Sequence, residues 1–543
     1  MYGLMQDHEL LISSLIRHAA TYHARREIAS REASGALHRT SYGEVERRAR
    51  RLAVALAKLG LERGDRVATL ACSHHRHLEC FYGVSGMGAV LHTVNPRLFK
   101  EQLIYIMNHA EDRVLLFDAD LLPLVEALAP QLESIQSYVV LDDRAAMPAS
   151  DTLPLACYEE LLAEAHDNYS WPVFDERSAS SLCYTSGTTG NAKGVLYSHR
   201  STVIHALAAL QSDALAVRAT DVVMPIAPMF HANAWSLPYG CAMTGAKLVL
   251  PGRHLDARRL HELIQSEGVT FAVGVPTIWT QLLAYLRETG AQVPTLERVL
   301  VGGTAMPPAV HAALAAHGVR AQHAWGMTET SPIGTLAAPT VEIDALPAEA
   351  RAAQLLKQGR VPWGIEIRIT DGSGQAIPKD GTTFGPLWVR GPWVASGYFK
   401  GEGGQVLDPE GWFPTGDVAT WDAYGFLKIT DRTKDVIKSG GEWISSIDIE
   451  NLAMSHPKVR LAAAVAAFHP KWDERPVLLV VAHEGERPTR EEIIEFLRPR
   501  MAKWWLPDDV VFIEQLPLSA TGKILKAKLR DQYWNHLCAS TRD

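Results

Sequence analysis

S-L-C-Y-T-S-G-T-T-G-N-A-K-G-V-L-Y-S, Ser181 to Ser198, is the stretch on which the reading of this chain turns. Its two ends are short apolar runs of strand character, and its middle gathers hydroxyls, glycines and one lysine. The ends predict a strand, a loop and a second strand. Glycine frees backbone N–H groups to converge, and with hydroxyls and a cation they form the surroundings that a phosphate chain needs. A plain polar hairpin tip would use the same residue types, so composition alone leaves both readings open. Spacing excludes the commoner nucleotide loop: counting from Gly187 or Gly190, no Gly-Lys-Ser/Thr follows after four residues to open a helix.

On either side of this unit, short β-rich runs alternate with amphipathic segments. R-V-A-T-L-A (Arg66 to Ala71) and R-V-L-L-F-D (Arg113 to Asp118) read as buried strands, with helical patterning over Glu101 to His109 between them. The rhythm returns in A-K-L-V-L, A-R-R-L-H-E-L-I, V-T-F-A-V, a helix through Trp279 to Arg287, and R-V-L-V-G-G (Arg298 to Gly303). Such alternation predicts parallel α/β layers, which bind ligands at loops beyond the carboxyl ends of their strands. Past Gly381 the texture changes to glycine, proline and aromatic turns, which predicts a small β-rich unit. D-R-T-K-D (Asp431 to Asp435) is the candidate linker to a further domain of ordinary size. The expected fold is therefore α/β. A large N-terminal body of parallel α/β layers plus a small β-rich unit spans 1–431, and a smaller, mobile C-terminal α+β domain spans 432–543.

The bulk properties agree with a folded, soluble enzyme-sized chain. It has 543 residues, 47% of them hydrophobic and 21% charged, too many for one core. The net charge of −8 is spread without long blocks, so nucleic acid is not an expected partner. Six scattered cysteines with no C-x-x-C pair, no secretory signal and no apolar run of spanning length predict a cytoplasmic protein without integral membrane association. G-x-S-x-G and G-x-G-x-x-G are absent, and H-E-L-I-Q at His261 ends in Gln where a zincin needs its second His.

Five polar islands follow one another: Y-T-S-G-T-T-G-N-A-K-G, W-G-M-T-E-T (Trp325 to Thr330), P-T-G-D (Pro414 to Asp417), D-R-T-K-D-V-I-K-S-G-G-E-W-I (Asp431 to Ile444) and S-A-T-G-K-I-L-K (Ser519 to Lys526). In this order, from about Tyr42 onward, the chain resembles the adenylate-forming enzymes: acyl-CoA synthetases, adenylation domains of peptide synthetases, and luciferases. The resemblance implies ATP, Mg2+ and coenzyme A as cofactors and a small carboxylic acid as partner. A carboxylate attacks the α-phosphorus of ATP and expels pyrophosphate, so two anions must be brought together and their charge neutralised.

The resemblance also implies residue roles. Thr185, Ser186, Thr188, Thr189 and Lys193 would embrace the β- and γ-phosphates, with Gly187 and Gly190 in the same loop. Thr328 and Glu329 resemble a phosphate contact and the magnesium ligand. Trp325, where relatives more often carry Tyr, would offer a flat face to adenine beside Gly326, and Gly302 and Gly303 would let backbone approach adenine and the acyl group. Asp417 resembles the ribose-binding acid, Arg432 adds a charged contact, and Lys523 resembles the lysine that bridges the attacking carboxylate and the α-phosphate. The small domain is expected to rotate about Lys434 between adenylation and thioester formation, bringing Gly440 and Gly441, after Lys438, to the pantetheine arm.

M-F-H-A-N-A-W (Met229 to Trp235) stands where peptide-synthetase domains usually place an Asp against the substrate ammonium. His231 at that position disfavours an amino acid, whose buried cation would lack its partner, and would suit a gate to the CoA tunnel. Trp235, Val275, Ala305, Met327 and Ile333, with Gly302 and His231, are the expected acyl-pocket residues. A pocket stopped by indole suits a short or medium acyl chain. H-A-N-A-W also resembles the branch holding medium-chain fatty acid:CoA ligases and 3-methylmercaptopropionate:CoA ligases, ranked here in that order. An acyl-AMP ligase loading a carrier protein, a luciferase-like oxygenase and a non-catalytic nucleotide binder are the other classes, and a homodimer is among the assemblies left open.

Overall fold

The computed structural model describes residues 1, 3–185, 191–371, 373–440, 442–518 and 524–539. Ser186, Gly187, Thr188, Thr189, Gly190, Gly441 and Lys523 lie outside the described residues. Among those described, four sheets of seven, eight, four and five strands carry the fold.

The seven-stranded sheet runs Leu155–Cys157, Ser137–Val140, Asp112–Phe117, Arg66–Leu70, Val90–Thr93, Ala179–Tyr184, Gly194–Ser198. Its neighbours are parallel except the last pair, where Tyr184 opposes Gly194 in an antiparallel hairpin. The strand–loop–strand expectation therefore holds, and the loop leaves from the edge of a sheet. The eight-stranded sheet places Phe271–Gly274 and Arg298–Val301 at its centre, next to Arg320–Gly326, with antiparallel strands at both edges. Strands buried on both faces explain why their sequences are near-continuous Val, Leu and Ala runs.

The connecting helices carry their signals locally. Ala257–Glu267 begins at Asp256, whose carboxylate accepts the Arg259 N–H at 3.1 Å, and ends at Gly268 with φ of 66°. Cap and left-handed stop are each encoded by one residue, and loss of the Asp256 cap would cost about 1 kcal/mol.

The β-rich unit past Gly381 is an antiparallel sheet ordered Glu366–Ile369, Gly385–Arg390, Phe413–Trp421, Leu427–Arg432. The last strand runs through Arg432, opposite Asp417. The Arg432 guanidinium pairs with that carboxylate at 2.8 Å. The next strand begins at Ile437. From there the long pair Val459–His469 and Asp473–Ala482 forms a separate sheet with its own apolar clusters, covered by Ser446–Met454, Arg490–Leu497 and Lys526–Tyr533.

Buried histidines bear on the acid stability. His205 is held down to about 3, and His77 and His199 to about 4, in each case chiefly because burial penalises the charged ring. Once unfolded, each takes up a proton as pH falls through about 6.5, so the stability they confer is whole above that pH and lost on acidification toward 4. Glu450 works the other way: burial pushes its carboxyl up to about 7, so the folded state binds that proton first. The three histidines outnumber Glu450, so the net direction among these four groups is proton uptake on unfolding in acid. Denaturant midpoints measured from pH 7.5 to 5 are expected to fall with pH; a flat or rising series would contradict this balance.

Candidate functional site

The hairpin Ala179–Tyr184 and Gly194–Ser198 positions the first group. The Thr185 N–H donates to the Lys193 carbonyl at 2.9 Å, and the Lys193 N–H donates to Thr185 Oγ1 at 3.1 Å, closing the base of the loop. Lys193 Nζ stands 4.7 Å from the centre of the Tyr398 ring, a cation over an aromatic face. Gly403, with φ of 77°, makes room: a Cβ there would lie 2.9 Å from that ammonium. Gly194 does the same for the neighbouring segment, since its Cβ would meet Phe399 at 3.0 Å. The G-Y-F-K-G-E-G-G run, read from sequence only as turns of a β-rich unit, thus packs against Lys193 and Gly194. Tyr105 reinforces it by donating to Glu402 at 2.7 Å.

Tyr398 also reaches the second group. Its hydroxyl donates to Glu329 Oε1 at 2.7 Å, and the Ala395 N–H donates to the Glu329 carbonyl at 2.8 Å. Tyr197, from the hairpin strand, donates to the Thr328 carbonyl at 2.6 Å. Thr328 and Glu329 lie in a short turn after the strand Arg320–Gly326, so two tyrosines knit the turn to the lysine-bearing loop. Glu329 is buried, and burial, only partly offset by the Tyr398 hydroxyl, raises its proton affinity. Burial and the adjoining carboxylate likewise hold the Tyr398 phenol well above its ordinary range.

Trp325 donates from its indole N–H to Asp417 Oδ2 at 2.8 Å, while Arg432 Nε lies 2.8 Å from Asp417 Oδ1. The indole packs so closely on Gly334 that a Cβ there would lie 2.3 Å from it. Gly326 is equally constrained, since a Cβ would fall on the Pro332 carbonyl. Trp in place of Tyr therefore loses a hydroxyl but gains a tether to the acid expected at ribose.

Trp235 lies in a backbone segment that side chains resist: Ala232, Ala234, Trp235 and Ser236 all have positive φ, between 35° and 65°. Such residues cost of order 1 kcal/mol or more each and persist only where their surroundings over-determine them. Here those surroundings are visible. His205 accepts the Ile333 N–H at Nε2 (3.1 Å), which places its proton on Nδ1, facing the Ser236 hydroxyl. Trp393 donates to the Ile333 carbonyl at 3.1 Å and stands edge-on to His205. The Trp235 indole is thereby aimed at Gly302, where a Cβ would lie 3.0 Å from Cη2. Val275 stands 3.2 Å from a Cβ position on Gly303, and Ile333 is buried in the same apolar cluster as Trp235. Met327 packs instead beside Trp325 against the β-rich unit, Ala305 is half-buried, and His231 is half-buried at the start of the strained turn.

In the C-terminal part, Lys434 and Lys438 line a cavity of about 450 Å³ with Glu474, Arg530 and Trp534. Gly440 has φ of 60° and lies beneath Trp472, which a Cβ would meet at 2.9 Å. Two groups of metal-capable side chains occur elsewhere among the described residues, Cys72–His74–Asp118 and Glu32–His38–His75. Asp118 already accepts from the Cys72 N–H, His74 and Arg253, and Glu32 faces Arg76 at 3.5 Å, so neighbouring cations oppose a metal at both.

Sequence reasoning missed Tyr398, Tyr197 and His205. The only local signal was a Tyr among glycines at Gly397 to Gly404, which turns also produce; nothing near His205 announces its role.

The architecture matches that of an anthranilate CoA ligase solved in complex with anthranoyl-AMP, with a TM-score of 0.85 over 98% of each chain at 22% identity, a likeness of fold. The sequence is 52% identical to a 3-methylmercaptopropionyl-CoA ligase of Ruegeria lacuscaerulensis, over 98% of this chain and 99% of that one. It is 47% identical to a medium-chain-fatty-acid–CoA ligase of Ectopseudomonas oleovorans, over 100% and 99%. The model of the AMP-binding enzymes matches residues 16–399, and that of the AMP-binding enzyme C-terminal domain matches 448–523. The chain belongs to the AMP-binding enzymes.

Proposed function

We propose that this enzyme activates a short-to-medium-chain fatty acid, with 3-(methylthio)propionate as the second candidate substrate. The reaction is ATP-dependent ligation of a carboxylic acid to coenzyme A, through an acyl-adenylate, with release of AMP and pyrophosphate. The carboxylate oxygen bonds to the α-phosphorus as the bond to the β-phosphate oxygen breaks. The CoA sulfur then bonds to the acyl carbon and AMP leaves. A thiol with a pKa near 8.5 supplies some thiolate at neutral pH, and the mixed anhydride is already a good acyl donor.

The observation that carries the site assignment is the chain Lys193–Tyr398–Glu329, which brings three loops to one place. In this reading Thr185 to Lys193 hold the β- and γ-phosphates. A buried carboxylate that accepts from the Tyr398 phenol offers oxygen to a hard dication, so Glu329 with phosphate oxygens would hold Mg2+. Bound there, the ion would offset the phosphate charge. Asp417 would take the ribose, a buried carboxylate oriented by Trp325 and Arg432. Lys523 would present its ammonium at the α-phosphate, and His231, Lys434, Lys438, Gly440 and Gly441 would serve CoA. We place the domain boundary at 431/432 and propose a cytoplasmic homodimer, which sedimentation and fractionation test.

The substrate class rests on the Trp235 indole standing against Gly302. Each methylene accommodated is worth about 0.8 kcal/mol, roughly 4-fold in kcat/KM, and each one refused loses that gain. A panel of C2 to C16 acids plus 3-(methylthio)propionate, with ATP, magnesium and CoA, is expected to peak at short or medium length. Trp235→Ala is expected to move the peak to longer acids; an unchanged profile would remove Trp235 from the pocket wall. Pyrophosphate release without thioester would reassign the protein to the acyl-AMP ligases.

A further inference from the structure

One ammonium of the C-terminal part is buried away from every phosphate contact described above. Lys526 Nζ donates to Glu450 Oε1 and to Ser446 Oγ, both at 2.6 Å, with its side chain only 13% exposed. Glu450 belongs to the helix Ser446–Met454, and the same Oε1 accepts the Ala464 N–H at 2.8 Å, tying the pair to the strand Val459–His469. Asp431, 1% exposed at the end of the antiparallel sheet, accepts the Ser446 N–H at 2.6 Å, and its charge acts directly on Lys526. Lys428 adds a bond to Asp448 on the same helix at 2.9 Å. The Lys526 amine thus joins the tail segment to helix Ser446–Met454, and the Ser446 N–H joins that helix to the last strand before residues 433–436.

The tail segment is the one that carries Lys523. Leu518 and Ile524 form an antiparallel bridge, and the Leu525 N–H donates to the Pro517 carbonyl at 2.9 Å, so the two sides of 519–523 are clamped together. Lys526 begins the following helix, three residues after Lys523. A buried Lys–Glu pair seldom stabilises a fold more than apolar packing would, and its best-attested use is to specify one arrangement.

We propose that Lys526 is a positioning residue for adenylation: held by Glu450 and Ser446 opposite Asp431, it fixes the base of the Lys523-bearing segment relative to the end of the large body. The inference rests on the reading of Lys523 as the adenylation lysine and adds what aims it. A misplacement of about 1 Å can cost on the order of 100-fold in rate while leaving ATP binding to other residues. A pair that merely stabilised the fold would weaken both half-reactions alike.

The test uses the full-length enzyme with octanoate. ATP–pyrophosphate exchange reads adenylation, and acyl-CoA formed from supplied octanoyl-AMP and CoA reads the second step. Lys526→Met is expected to lower the adenylation kcat by about 10- to 100-fold with the KM for ATP changed less than about 2-fold, and to spare the second step. Lys526→Arg should restore much of the loss, because guanidinium can still reach Glu450. If Lys526→Met folds poorly, Lys526→Met with Glu450→Leu replaces the pair by apolar groups and should fold while remaining defective in adenylation. Parallel loss of both steps, or normal adenylation in either folded variant, would overturn the proposal. Lys523→Ala separates the two levels: if it adenylates normally the underlying reading fails, whereas if it is inactive and Lys526→Met is normal, only the positioning role fails.

Discussion

Lys523→Ala is expected to slow adenylation by about 10²- to 10³-fold while conversion of supplied acyl-AMP to acyl-CoA stays within a few-fold of the parent rate. The asymmetry follows from the charge flow. In the first step a carboxylate approaches a phosphorus ringed by anionic oxygens, and an ammonium placed between them gains most as charge shifts toward the transition state. In the second step the CoA sulfur attacks a neutral carbonyl and the departing AMP oxygen takes the bonding pair, but no carboxylate has to be driven against an anionic phosphate, so the repulsion that this ammonium offsets is absent. Exchange of pyrophosphate into ATP and thioester formation from acyl-AMP, measured on one preparation, check this. Equal loss of both would remove Lys523 from a role confined to adenylation.

Glu329→Gln is expected to lower adenylation by about 10²-fold and to raise the magnesium concentration needed for half-maximal rate. Glutamine keeps the volume and a carbonyl oxygen that can accept the Tyr398 hydroxyl, so the loss isolates the charge. Burial raises the proton affinity of Glu329, so the metal-free carboxylate is lost on acidification at a higher pH than an ordinary one. An acid limb in adenylation that weakens as magnesium is raised follows from this, and Glu329→Gln should abolish that limb. Initial rates over a grid of magnesium and pH provide the measurement; an unchanged magnesium dependence would contradict the assignment.

Much of the fold was legible because strands and helices announce themselves over a few residues. The runs at Arg66, Arg113, Lys247, Phe271 and Arg298 all form strands, each within a residue or two of its expected bounds. The strand–loop–strand unit at Ser181 to Ser198 is an antiparallel hairpin, as its apolar ends and polar centre predict. Trp235 was legible as a candidate by chemistry alone. Its direction was not, because a segment with positive φ at Ala232, Ala234, Trp235 and Ser236 is held by His205 and Ile333, 30 and 98 positions from Trp235, and no local pattern records that.

The order of elements and the hairpin were set by the amino-acid sequence alone, since each depends on turn chemistry or periodicity within a short window. Tertiary structure alone decided which distant groups meet: Tyr398 between Lys193 and Glu329, Trp325 on Asp417, and Lys526 between Glu450 and Ser446. The reason is physical. A buried polar atom must find a partner wherever the packed chain places one, and the cost of leaving it unpaired does not depend on how far apart the partners lie along the chain.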